Sequence, residues 1–340
     1  MKWILAMCLS FVGVAFANSE KDAPILYYSD DCSVNILPNA GPSIRRDWNV
    51  FLTADFIYWT LKQDGMAHAI SRTLESDTLA SGKLLEMDWT SEPGFKVGLG
   101  MNLPHDGWDL VAQYTWITTN VSDSITGSDT TQVIPYWLTS PDGGFFAPVS
   151  KADQSWNAHY NNLTLDLGRN TYMSQYMKLR LFAGLQAAWI SQEAKAEYTS
   201  EGSPAKEVVD LSQDFYGFGL HAGLNNSFHI TKSLSFFADT ALSVLWGKFD
   251  LDRKYTPSEE GESGFKLDND RHTAQPVVNI ESGVRYDLWF SENRYHVAIQ
   301  AGWEHTVWMF HNQLIKLPTE ADHSGNLYLQ GLTFKARFDF

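Results

Sequence analysis

From about residue 48 to the C-terminus, apolar and polar positions alternate with a period of two, and no helical period competes with it. Phe95, Val97, Leu99, Met101 and Leu103 share one face of an extended segment, with Gly94, Lys96, Gly98, Gly100 and Asn102 on the other. Leu179, Leu181, Ala183, Leu185, Ala187 and Trp189 alternate with Lys178, Arg180, Phe182, Gly184 and Gln186 in the same way. At the end of the chain, Leu332, Phe334, Ala336, Phe338 and Phe340 alternate with Thr333, Lys335, Arg337 and Asp339. The pattern predicts ten strands, over 48–60, 83–103, 107–121, 156–169, 175–199, 206–229, 233–255, 270–289, 294–316 and 326–340. Short connections (Pro104–Asp106, Asn170–Ser174, Ile230–Lys232, Ser291–Asn293) alternate with longer ones (61–82, 122–155, 200–205, 256–269, 317–325), of which 200–205 fits least well. Short turns at one end and long loops at the other are the layout of an outer-membrane barrel with both termini in the periplasm.

Which face looks outward follows from the charges. The polar faces carry Asp55, Lys96, Asp109, Asp166, Lys178, Arg180, Asp239, Glu281, Arg285, Asp287, Glu304, Lys335, Arg337 and Asp339. A Lys or Arg facing lipid at mid-depth costs roughly 2–4 kcal/mol, so these residues are expected to line a wetted lumen. The apolar face, read as continuous through nearly every segment, then meets acyl chains. Trp and Tyr gather near segment ends (Tyr58, Trp59, Trp108, Trp116, Trp189, Trp246, Trp289, Trp303, Trp308, Tyr328), as interfacial girdles do. The expected fold is all-β: a closed antiparallel transmembrane β-barrel of about ten strands. A β-prone stretch, Thr131–Leu138, offers a hidden strand pair that would widen the barrel to twelve.

Composition narrows the class further. Of 340 residues 44% are hydrophobic and 19% charged, which excludes a disordered chain. The formal charge of −15 without Lys/Arg clusters argues against nucleic-acid partners. Residues 1–17 read as a secretory signal, with Lys2, an apolar run from Trp3 to Phe16, and Ala15-Phe16-Ala17 for cleavage. Residues 18–47, turn-rich with Pro24, Pro38, Gly41 and Pro42, read as a periplasmic lead-in or a lumen plug, and 48–340 as the barrel. Removing the signal removes Cys8 and leaves Cys32 alone, either inert or in an intermolecular disulfide.

Two motifs carry a family resemblance. Gly94–Leu110 (GFKVGLGMNLPHDGWDL), followed by Tyr114-Thr115-Trp116, and Ala54–Trp59 (ADFIYW) resemble the Legionella-type major outer membrane protein family. Elsewhere the similarity lies in length and layout. The resemblance implies a pore-forming barrel in the bacterial outer membrane, with no catalytic residues to carry over. The single mature cysteine departs from more cysteine-rich relatives. The terminal Phe340, with Phe338 two and Phe334 six positions before it, resembles the signal read by the outer-membrane assembly machinery.

Candidate chemistry is sparse. Pro104-His105-Asp106-Gly107 reads as a turn, and no His shows a zinc-protease spacing. His305 and His311, an even number of positions apart, are expected on one strand face without a third ligand. Asp64 with His68, or Asp270 with His272, would be the rim pairs of an omptin-like protease. The favoured expectation is passive diffusion of small hydrophilic solutes, weakly cation-selective at most, since parity places six basic and eight acidic residues in the lumen. A non-conducting structural or adhesive barrel is the alternative. No enzyme activity, metal or cofactor is expected. The expected partners are membrane lipid, lipopolysaccharide and the assembly machinery, with homo-oligomerisation left open. Inward glycines, Gly98, Gly100, Gly184, Gly217, Gly219, Gly223, Gly283 and Gly302, leave room for water or for residues 18–47.

Overall fold

The structure, a computed structural model, describes residues 40, 49–73, 82–103, 106–128, 130–138, 148–201, 205–257, 264–291, 294–315 and 325–340. The signal segment lies outside them. Of 18–47 only Ala40 is described, and its N–H donates to the Asn170 carbonyl at 3.3 Å.

Thirteen strands are present among the described residues: β1 (Val50–Gln63), β2 (Ala69–Thr73), β3 (Gly82–Leu85), β4 (Ser91–Asn102), β5 (Trp108–Thr126), β6 (Thr131–Pro135), β7 (Val149–Ser174), β8 (Met177–Ser200), β9 (Lys206–His229), β10 (Leu234–Thr256), β11 (Phe265–Phe290), β12 (Tyr295–Trp308) and β13 (Leu327–Asp339). Ten of them close a ring in the order β1-β4-β5-β7-β8-β9-β10-β11-β12-β13, and β13 pairs back onto β1. Every neighbouring pair in the ring is antiparallel. Closure leaves no edge within the bilayer, where unpaired backbone groups find no water. The sequence-predicted segment 83–103 divides into β3 and β4, and 294–316 ends as strand at Trp308. The Thr131–Leu138 stretch does form a strand, but it does not widen the barrel. β6 pairs with β2 and touches β7 only through Val133 opposite Val149, so it stays outside the ring.

The turns follow local chemistry. Between β4 and β5, Asp106 and Gly107 take φ of 55° and 73°, the left-handed geometry a tight hairpin needs and one that Asp and Gly tolerate. Positions 104 and 105 lie outside the described residues.

Strand length divides the ring into two sides. β1, β4, β12 and β13 have 12–14 residues, close to the ~9–11 that cross a bilayer at a tilt. β7 to β11 have 23–26 and stand well above the membrane on the loop side. Apart from irregularities near the two ends of β7, the ring strands keep one parity inward, yet the chemistry of the two faces exchanges with height. In the lower part, the outward residues are apolar and bare, including Leu220 at 71% and Trp246 at 66% exposure, while the charged residues are enclosed. Above Trp246 on β10 the outward residues become Lys248, Asp250, Asp252 and Lys254, and the inward ones become Phe249 and Leu251, both buried. β7, β8 and β9 exchange at the same level. A membrane-embedded band thus carries a soluble-type collar, apolar inside and charged outside. This corrects the expectation of one apolar face running the length of the strands. The physical reason is the medium: the band meets lipid and the collar meets water, so the side that must be apolar changes.

Candidate functional site

The ring encloses a lumen, and the fourteen sequence-predicted charges stand at inward-parity positions of its strands. In the band most of them pair with one another, within a strand or between strands of the ring. Lys96 on β4 donates to both Glu304 oxygens on β12, at 2.7 and 2.5 Å, and both side chains are buried. Asn279 and Thr333 donate to the same carboxylate at 2.8 and 3.2 Å. Lys335 lies 3.9 Å from Asp55. Arg180 grips Asp109 with Nε and Nη2, at 2.8 and 2.5 Å, and reaches Asn225 at 2.9 Å. Near the periplasmic end, His296 joins Asp339 (2.6 Å) to Asp287 (2.8 Å), and Arg337 and Arg285 each bond one of those carboxylates. Asp166 stands 3.7 Å from His221, which bonds Ser243 at 2.8 Å. Glu281, directly opposite Asp239 on β10 and Glu304 on β12, completes a row of three carboxylates. Lys178 faces the same interior from β8.

At several inward glycines an aromatic ring fills the room, whereas at Gly184, Gly219 and Gly283 the neighbouring strand's backbone lies closest. A Cβ at Gly100 would collide with the Phe51 ring, and one at Gly217 or Gly247 with Phe215. Phe51 in turn stacks under the Arg337 guanidinium at 3.6 Å.

Above the charged layer, described loops and collar side chains form a plug. Phe215, Phe249, Trp308 and His311 pack ring to ring at centroid distances of 4.7–5.9 Å, and all are at most 1% exposed. Phe310, at a φ of 58°, turns the chain off β12 and sends His311 inward. His311 therefore does not share a face with His305, which stacks on Tyr328. A glutamine layer clamps this loop. Gln213 donates to the His311 carbonyl (2.9 Å) and accepts from the Gln313 N–H (2.8 Å), while Gln275 donates to the Met309 carbonyl (2.6 Å). Arg253, 1% exposed, donates to the Ile315 carbonyl (3.0 Å) and the Trp137 carbonyl (2.8 Å), and so ties two loops to β10. Tyr198 donates to the His68 carbonyl at 2.6 Å and ties a third. His68 and Gln154, both nearly inaccessible, lie side by side within the plug.

Of the protease-type candidates, His68 is buried in the collar, and Asp270 and His272 are exposed on the outer wall of β11. Burial holds the His68 imidazole below its ordinary pKa, inside the plug and away from any rim. Asp270 is engaged by Lys248 at 3.0 Å on the outer wall. Elsewhere on that wall, hydrogen bonds from Lys195 and Lys206 hold the Glu197 carboxyl down at about 2. Sequence reasoning missed His296, the glutamine clamp and Arg253. The only signal for Arg253 was a cation on the face where Phe249 and Leu251 are apolar.

Residues 40–340 match the family model described as Legionella pneumophila major outer membrane protein precursor. The chain belongs to this Legionella major outer membrane protein family. As a member of the family it is an outer-membrane β-barrel, and the resemblance carried by the Gly94–Leu110 and Ala54–Trp59 runs is met over almost the whole length. No curated protein matches the chain. Among solved structures, the outer membrane protease OmpT from Escherichia coli is similar at 12% identity and a TM-score of 0.43, over 88% of this chain and 98% of that one. The toluene transporter TodX from P. putida is similar at 11% identity and 0.32, over 88% and 92%. Ail, the attachment invasion locus protein of Yersinia pestis, is similar at 8% and 0.25, over 87% and 100%.

Proposed function

We propose that this outer-membrane barrel is closed at rest, a structural and surface-presenting element without catalytic chemistry. The filled collar carries the reading. The ring-to-ring packing of Phe215, Phe249, Trp308 and His311, clamped by Gln213, Gln275 and Arg253, occupies the lumen where a hydrated solute would pass. Ten strands leave little interior width to begin with. The band presents its apolar face to lipid and lipopolysaccharide, and Phe338 and Phe340 are offered to the assembly machinery.

One observation favours a second reading, a porin-like pore that opens when the loops withdraw. The lower lumen is charged and partly wetted, with the side chains of Lys335 at 26% and of Arg285 and Arg337 at 18% exposure. Planar-bilayer recording separates the two. Purified wild-type protein is expected to be silent, whereas Arg253→Ala combined with Tyr198→Phe, which releases the hydrogen bonds to Ile315, Trp137 and His68, is expected to give discrete, mildly cation-selective channels. Steady wild-type conductance would replace the closed reading with the pore.

A further inference from the structure

β11 pairs with β10 along nearly its whole length, from Phe265 opposite Tyr255 to Tyr286 opposite Leu234. Its other side is covered by β12 only from Val277 downward. Because Phe310 turns the chain into the lumen, no described strand pairs with β11 above Pro276. Gly264 to His272 are all exposed.

The direction of the backbone groups along this edge can be read off. The Met309 N–H donates to the Pro276 carbonyl on the β12 side, and the Asp287 N–H donates to the Ser233 carbonyl on the β10 side. In an antiparallel ladder, a residue turns both of its backbone groups to one neighbour and the next residue turns to the other. Lys266, Asp268, Asp270, His272 and Ala274 therefore aim their N–H and C=O groups at the open side. A row of this kind is a template for an added strand.

The side chains specify what fits. On the outer face Asp268 and Asp270 flank the edge, backed on β10 by Asp252 and Asp250 in direct register. Lys248 lies against both Asp250 and Asp270, the latter at 3.0 Å, and Lys266 is 3.0 Å from Asp252, which leaves Asp268 without an ion pair among the described residues. On the inner face Phe265 and Leu267 remain 37% and 39% exposed. We propose that the upper edge of β11 binds an extended segment of a partner polypeptide with basic residues on one face and apolar residues on the other. Its backbone continues the sheet, its cations oppose Asp268 and Asp270, and its apolar side chains cover Phe265 and Leu267. Pairing of two copies in a register centred between Asp268 and Asp270 would set these carboxylates against each other, which disfavours that homodimer.

The test uses the full chain in phosphatidylcholine nanodiscs. The probes are two fluorescein-labelled nonapeptides, one alternating lysine with valine and one alternating glutamate with valine, read by anisotropy. The lysine peptide is expected to bind and the glutamate peptide not. His272→Pro removes an edge N–H while leaving the β10 ladder intact, and is expected to weaken binding at least tenfold, whereas His272→Ala retains it. Asp268→Lys with Asp270→Lys is expected to reverse the preference between peptides, which keeps the proposal testable if the proline variant does not fold. Equal binding of both peptides, or binding indifferent to His272→Pro, would overturn it. So would a wild-type dimer that His272→Pro dissolves.

Discussion

Lys96 sets the scale of what one side chain contributes. Its ammonium meets both oxygens of Glu304 with almost no solvent access, and it also lies 4.7 Å from the Trp59 ring. Removing one partner of such a pair leaves the other charge buried alone, at a cost of about 3–5 kcal/mol. Lys96→Met is therefore expected to lower the barrel's unfolding free energy in urea titration by that amount, and adding Glu304→Gln should restore most of it. A double variant as unstable as the single one would show that Lys96 acts through packing on Trp59. The charged lumen was legible in the sequence because parity is local: each of the fourteen residues sits on a polar face that alternation identifies. The pairing was not legible. Lys96 and Glu304 are 208 positions apart, and they meet only because the ring closes through β1 and β13, which lie between β4 and β12. His296 was hidden for the same reason, since its two carboxylates come from β11 and β13.

At the scale of one strand, β10 shows how a uniform backbone serves two media. Leu242, Val244 and Trp246 face lipid, and Asp250 and Asp252 continue the same outward row into water. Arginine should then be tolerated very differently along that row. Val244→Arg places a charge in the band and is expected to cost about 2–4 kcal/mol. Asp252→Arg stays within about 0.5 kcal/mol, as exposed substitutions do. Urea unfolding in lipid vesicles checks both, and similar costs would mean the bilayer reaches higher than Trp246. The ten ring strands were legible from period-two alternation alone. The exchange of faces was written in the sequence too, as a shift in the phase of the apolar residues: even positions up to Trp246, then odd positions at Phe249 and Leu251. It reads as interrupted alternation unless a change of solvent is allowed midway along a strand. β6 was legible as a strand but not as an outsider, because alternation carries no information about which neighbour a strand joins.

For the whole molecule, the decisive contrast is between the two ways its interior is held. The band is sealed by a continuous ladder around ten strands, from which no single element can leave without breaking two sets of backbone bonds. The collar is open between β5 and β11, whose upper halves lack a ring neighbour on one side, and loops anchored by side chains such as Arg253, Tyr198 and Gln213 fill the gap. The plug should therefore be the first part to open under stress, in the way that low-stability regions unfold ahead of the whole. In a urea titration, emission from Trp137, Trp156 and Trp308, all buried in the collar, is expected to shift to the red while far-ultraviolet dichroism still reports an intact barrel. Brominated lipid isolates the signal by quenching the outward Trp189, Trp246 and Trp303. If emission and dichroism instead change together, the loops and the ring form one cooperative unit, and a pore gated by loop withdrawal would have no intermediate through which to open.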